Sequence, residues 1–145
     1  MIDTAATYRS ASEIHELMRR FDDCTLAREE FTHAAHVTLA VWNVLWHGPH
    51  AAVDVTRSAI MKFNAAKGVT PSPTGGYHDT ITRFYVAYVA GLIRERPVGE
   101  PLVELVNEVV ETCMDRTIPL RYYSRELLMS GEARAGWVAP DLRAP

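Results

Sequence analysis

The chain has 145 residues, 48% hydrophobic and 23% charged, with a net charge of −3 when histidine is neutral. That length supports one domain with its own core, and the composition is that of a soluble globular protein. The negative balance and scattered arginines exclude the basic footprint of a nucleic-acid binder, and the longest apolar stretches, broken by Asn43, His47 or Arg94, are too short to span a membrane. The first residues show no basic segment followed by an apolar one, so no secretory leader is expected. Two cysteines, Cys24 and Cys113, make neither a disulfide framework nor a zinc ribbon. They are expected to be small apolar fillers in a cytoplasmic protein.

In chain order, Ser10 or Ser12 can cap a first helix that carries Ile14, Leu17, Met18 and Phe21 on one face. Thr25 can cap a turn that runs into a second helix, which Gly48 and Pro49 stop. A third helix is predicted from residue 49 to about 67, with Pro49 in its first turn and Gly68 closing it. Residues 69–76 form a loop rich in proline and glycine, and residues 77–96 form a long apolar helix. A fifth helix is predicted over 100–115, with Leu102, Leu105, Val106, Val109 and Cys113 on its buried stripe. The tail offers a short helix capped by Ser124, another turn after Ser130, and an extended end. No stretch alternates like a half-buried strand. The predicted fold class is therefore all-α: residues 1–145 as a single-domain bundle of four or five helices, with a C-terminal tail first helical, then extended.

The unusual feature lies at the start of the second helix. At about 100° per residue, His33, His36, Ala40, Asn43 and His47 fall within one quarter of the circumference. If the helix begins near Leu26, Glu29 joins the same arc. Imidazoles at i and i+3 project side by side and can share one metal ion. A third ligand must come from another helix, and His78 is the best candidate. It opens the long apolar helix and shares a face with Ile81, Thr82, Tyr85 and Val89. If the helix between runs antiparallel, His78 arrives beside His33 and His36.

These residues predict a mononuclear metal site with His33, His36 and His78 as ligands, Glu29 as general base or fourth ligand, and Thr82 on the wall as a second catalytic candidate. Three neutral imidazoles suit Zn, Fe, Cu or Ni alike. The metal would polarise a small-molecule substrate, activate a water, or support oxidative chemistry. Two other readings compete. In one, a metal-free enzyme uses an imidazole as general base. In the other, the bundle is a binding or interaction module, with Trp42 and Trp46 anchoring a homo-oligomer. Around the site, Arg57 is either an ion-pair residue or an anchor for an anionic substrate, and Tyr77 either covers the site or packs. Asp79 is expected as an exposed partner of Arg83. Tyr122 and Tyr123 are expected to pack the tail, with substrate contact as the alternative for Tyr123.

The motifs at 31–36 (Phe-Thr-His-x-x-His) and 76–82 (Gly-Tyr-His-x-Thr-x-Thr) recur together with Tyr-Ser-x-x-x-Leu at 123–127, Ala133-Arg134 and Pro140-Asp141. In this combination the chain resembles a family of small, uncharacterised bacterial all-helical proteins. The resemblance covers most of the chain and implies the fold, but no particular activity. In architecture alone, a bundle with three metal-binding histidines is also similar to the DinB/YfiT-like proteins. Their late i,i+4 histidine pair has no counterpart here.

Overall fold

The computed structural model describes residues 8–144. Its longest helical run, α2 (His33–Ala66), is broken at Gly48, whose φ of 84° and ψ of 158° lie outside helical space and favour glycine. Pro49 then starts the second arm with a φ already suited to a helix. The arms fold back on each other. Asn43 Nδ2 donates to Thr56 Oγ1 at 3.0 Å, whereas a continuous helix would hold these residues about 20 Å apart. The break predicted at Gly48-Pro49 is thus a hairpin, and it returns the chain to its starting end.

Four further segments complete the bundle. α1 (Ala11–Asp22) is capped by Ser10, whose side chain accepts from the Glu13 amide. α3 (Asp79–Arg94) packs most extensively against α2, and α4 (Leu102–Thr112) lies against both. The tail carries two short helices, α5 (Arg125–Leu128) and α6 (Gly131–Ala135), capped by Ser124 and Ser130 as their positions predict. Among the described residues there is no strand beyond one isolated bridge between Ser72 and Gly75. None of the described helices is long and apolar enough to cross a membrane.

The main core lies between these helices, with Ile14, Val41, Ala52, Val89 and Val110 fully buried. Phe21 of α1, Phe31 and Phe63 of α2's second arm stack at 4.7–5.0 Å between ring centroids. This aromatic knot pins the chain entering α2 to the chain leaving it. A second, smaller core sits on the other face of α3, where Phe84, Ile118, Tyr123 and Leu128 clamp the tail.

The tail is also tied by polar contacts. Thr80 Oγ1 donates to the Gly136 carbonyl at 2.9 Å and accepts from the Val138 amide at 3.2 Å. Tyr123 Oη donates to the Val138 carbonyl at 2.7 Å. Tyr123 is completely buried, so its predicted packing role is what the fold uses. The alternative of substrate contact is corrected, because no part of it reaches a surface.

Candidate functional site

α2 begins later than the sequence suggests. Thr32 is its N-cap: the backbone there is extended and Thr32 Oγ1 accepts from the Ala35 amide at 3.2 Å. The segment before it is a three-residue 3-10 turn, Arg28–Glu30, held to α1 by a two-pronged pair between Arg20 and Glu30 at 2.7 and 3.1 Å. Glu29 therefore never joins the helical arc. It is exposed and is not part of the cavity wall described below, which corrects its assignment as base or ligand.

His33 and His36 do share a face, as their spacing requires. Both line a cavity of about 450 Å³ bounded by the two arms of α2, by α3, and by the loop after α4, a volume typical of small-molecule sites. His33 Nε2 lies 2.7 Å from the Cys113 carbonyl, and His36 Nδ1 lies 2.9 Å from the carbonyl of Thr32. A carbonyl only accepts, so each of these nitrogens carries the proton. The opposite nitrogens, His33 Nδ1 and His36 Nε2, are left unprotonated. The two tautomers are thus set by backbone, and the histidines are mirror images in function.

The His36 ring stacks on Phe31 at 3.7 Å and 23°, which fixes its plane as the carbonyl fixes its edge. The side chain is exposed to solvent on its cavity side, and protein crowds it on the other. Burial pushes its pKa down to about 4, against a smaller upward effect of the Thr32 carbonyl. Burial lowers His33 as well. Both imidazoles are therefore neutral at neutral pH, with lone pairs able to accept a proton or a hydrogen bond.

α3 supplies Ile81, Thr82, Tyr85 and Val86 to the opposite wall. These follow the helical face read from the sequence. Thr82 is on the wall as expected, but its hydroxyl donates back to the His78 carbonyl at 2.9 Å. Tyr85 crosses His33 edge-on at 5.4 Å. Its hydroxyl oxygen is buried and has no hydrogen-bond partner among the described residues. Burial raises its pKa to about 12, so it stays protonated and can only offer its proton as a donor or accept one.

His78 is elsewhere. It is the N-cap of α3, with φ −123° and ψ 107°. Its Nδ1 accepts from the Ile81 amide at 3.1 Å, and its Nε2 donates to the Leu128 carbonyl at 2.7 Å. Both ring nitrogens are consumed by backbone, so the imidazole has no lone pair for a metal. The predicted three-histidine constellation is corrected on that ground: a cap residue departs from helical φ/ψ, so its side chain leaves the wheel on which the later residues stay. Among the described residues no group of three or more His, Cys, Asp or Glu is disposed to hold a metal ion.

Among the polar residues around His78, Asp79 pairs with Arg83 and Arg57 is in an ion pair, as read from the sequence, and only the expected exposure of Asp79 is corrected. Asp79 is buried rather than exposed, and it accepts from Tyr77 Oη at 2.8 Å, Arg83 Nε at 2.9 Å and Arg57 Nε at 3.1 Å. Arg57 is thus an ion-pair residue, and Tyr77 packs over the pair. Neither lines the cavity. Burial raises the Asp79 pKa, but the three hydrogen bonds outweigh it and hold the carboxylate below its usual range.

Arg116 is the cavity residue for which the sequence offered no signal. It lies in the loop after α4, outside any periodic pattern. It is exposed yet lines the cavity, which places it at the mouth. Phe31, Thr32, Val37, Ala40, Thr56 and Ile60 complete the wall. The fold and the site define a small all-helical protein with one deep two-histidine cavity. No protein-family model, no curated protein and no solved structure matches the chain.

Proposed function

We propose that the protein is a small-molecule enzyme whose acid–base group is His36, working in the cavity without a three-histidine metal centre. One observation carries this reading. His36 stands on the cavity wall with its Nδ1–H committed to the Thr32 carbonyl and its plane held by Phe31, so Nε2 is an unprotonated base of fixed direction. His33, oriented by the Cys113 carbonyl, supplies a second acceptor one turn away. The Tyr85 ring adds to the wall beside His33. Phe31, Val37, Ile60 and Val86 provide an apolar wall for the body of a substrate. Thr82 acts as wall and not as acid or base, since its proton is engaged.

A second reading keeps a divalent transition metal, such as Zn, Fe, Cu or Ni, on His33 and His36 alone. It is favoured by one feature: each imidazole donates one N–H to a backbone carbonyl, the usual orientation of a metal-ligating histidine. It ranks second because two imidazoles leave the remaining positions to water and substrate.

The two readings separate in one experiment. Untagged protein, washed with chelator and checked for metals by elemental analysis, is incubated in D2O with a small-molecule cell extract. Mass spectrometry then follows which species are consumed or take up deuterium. His36→Gln should abolish that change. His78→Ala should lose about 1–3 kcal/mol of stability, through its cap and the orphaned Leu128 carbonyl, but should retain the change per folded molecule. No consumption or deuteration in the wild type, or an unaltered pattern in His36→Gln, would falsify the acid–base reading. Near-stoichiometric metal that is required for the reaction and lost in His36→Gln would favour the second.

A further inference from the structure

The cavity is polarised from end to end. His33, His36, Tyr85 and Arg116 gather where α2 begins and α4 ends, as the His33 bond to the Cys113 carbonyl shows. Val37, Ala40 and Ile60 lie further along the hairpin. One end therefore offers a cation and two imidazoles, and the other offers only apolar surface and Thr56, whose oxygen already accepts from Asn43.

The polar end is also unbalanced in charge. No Asp or Glu is among the residues lining the cavity. Arg116 forms no ion pair among the described residues, although nine such pairs are found elsewhere. Its neighbour Asp115 is engaged by the Thr117 amide and hydroxyl at 2.9 and 2.6 Å, with Arg121 beside it. The positive charge of Arg116 reaches His33 and His36, whereas at Tyr85 it is opposed by the Asp115 carboxylate. An arginine facing a low-dielectric pocket with no acid opposite it is built to meet an anion.

We infer that the ligand of this cavity is an organic carboxylate with an apolar body, its carboxylate held at the mouth by Arg116, and its body laid along Val37, Ile60 and Val86. This rests on the small-molecule reading above and names its substrate class. The carboxylate satisfies the unpaired guanidinium. The body then lies against the wall that carries His36.

Phenylacetate and phenylacetamide test it, being nearly equal in shape and different in charge. Titration calorimetry on the full chain should show phenylacetate binding at least about ten-fold tighter than the amide, a difference of about 1.4 kcal/mol. Arg116→Ala, at an exposed position that leaves the core intact, should erase the preference, and Arg116→Lys should retain part of it. Equal binding of the two probes, a preference that survives Arg116→Ala, or no binding of either at millimolar concentration overturns the carboxylate assignment. His36→Gln should keep the preference. Equilibrium binding through Arg116 and turnover through His36 are thus read separately, and either can fail alone.

Discussion

The two ends of α3 use the same kinds of side chain to opposite effect. At its N-terminus, His78, Asp79 and Thr80 are buried, and each polar side-chain group finds a protein partner. The one exception nearby is Arg134, which donates to the Gly76 carbonyl through Nη1 and leaves Nε unpartnered. One to two turns further along, the groups facing the cavity are left incomplete. His36 and His33 each keep a free nitrogen, Tyr85 a free hydroxyl, and Arg116 a free charge. A satisfied histidine is a joint; an unsatisfied one held in place is a tool. Residue type does not distinguish them, whereas the destination of the second ring nitrogen does.

The largest effect should come from breaking the satisfied end. Asp79 gathers three donors from the second arm of α2, from α3 and from the loop before it. Asp79→Ala leaves two guanidinium groups and a phenol without their acceptor. Loss of one partner from a fully buried pair costs about 3–5 kcal/mol. Arg57 and Arg83 are 31% and 36% exposed, so water compensates in part, and about 2–3 kcal/mol is expected. Urea unfolding measures it. A change below about 0.5 kcal/mol, the range of ordinary surface substitutions, would mean that this network is not what joins α3 to the hairpin.

Much of this contrast was legible in the sequence, up to a physical boundary. Periodicity located the hairpin, because Gly48 and Pro49 interrupt a regular apolar pattern, and it put His33 and His36 on one face. It also put Ile81, Thr82 and Tyr85 on the facing wall. It failed at the two helix starts. Glu29 was assigned to an arc that begins only at His33, since Thr25 and Thr32 are both competent caps and only packing of Phe31 on Phe21 and Phe63 decides between them. His78 was treated as a wheel position although it is a cap. Arg116 was invisible because loop residues have no period, and their direction is set by tertiary contacts alone.

Acid should unbalance the two ends in different pH ranges. His33, His36 and His78 all have pKa values lowered by burial. Such a histidine is neutral in the fold and binds its proton more readily in the unfolded chain. Its contribution is complete above the unfolded value of about 6.5 and is lost as pH falls towards the folded value, about 4 for His36. Asp79 has a lowered pKa, so its contribution holds above 3.8 and is lost only below it. Urea midpoints should therefore be level above about pH 7, decline between about 6.5 and 4, and fall again in stronger acid. His36→Gln should flatten the first decline, and Asp79→Ala the second. If His36→Gln leaves the first slope untouched, His36 does not titrate as a buried neutral imidazole.

The smallest effect is the most discriminating, because its sign differs between the two ends. Tyr123 and Tyr85 are both tyrosines packed around Phe84 on opposite sides of α3. The Tyr123 hydroxyl donates to the Val138 carbonyl at 2.7 Å, so Tyr123→Phe orphans a buried acceptor and should cost about 1–2 kcal/mol. The Tyr85 hydroxyl is buried without a protein partner, so its removal takes away an unmet desolvation cost and almost no contact. Tyr85→Phe should leave the ligand-free protein equally stable or up to about 1 kcal/mol more stable. Thermal and urea unfolding of the two variants side by side decide the matter. A Tyr85→Phe loss equal to that of Tyr123→Phe would show that the hydroxyl is a structural joint like those around His78. A neutral or positive change means that the fold tolerates an unfilled buried donor behind the cavity wall.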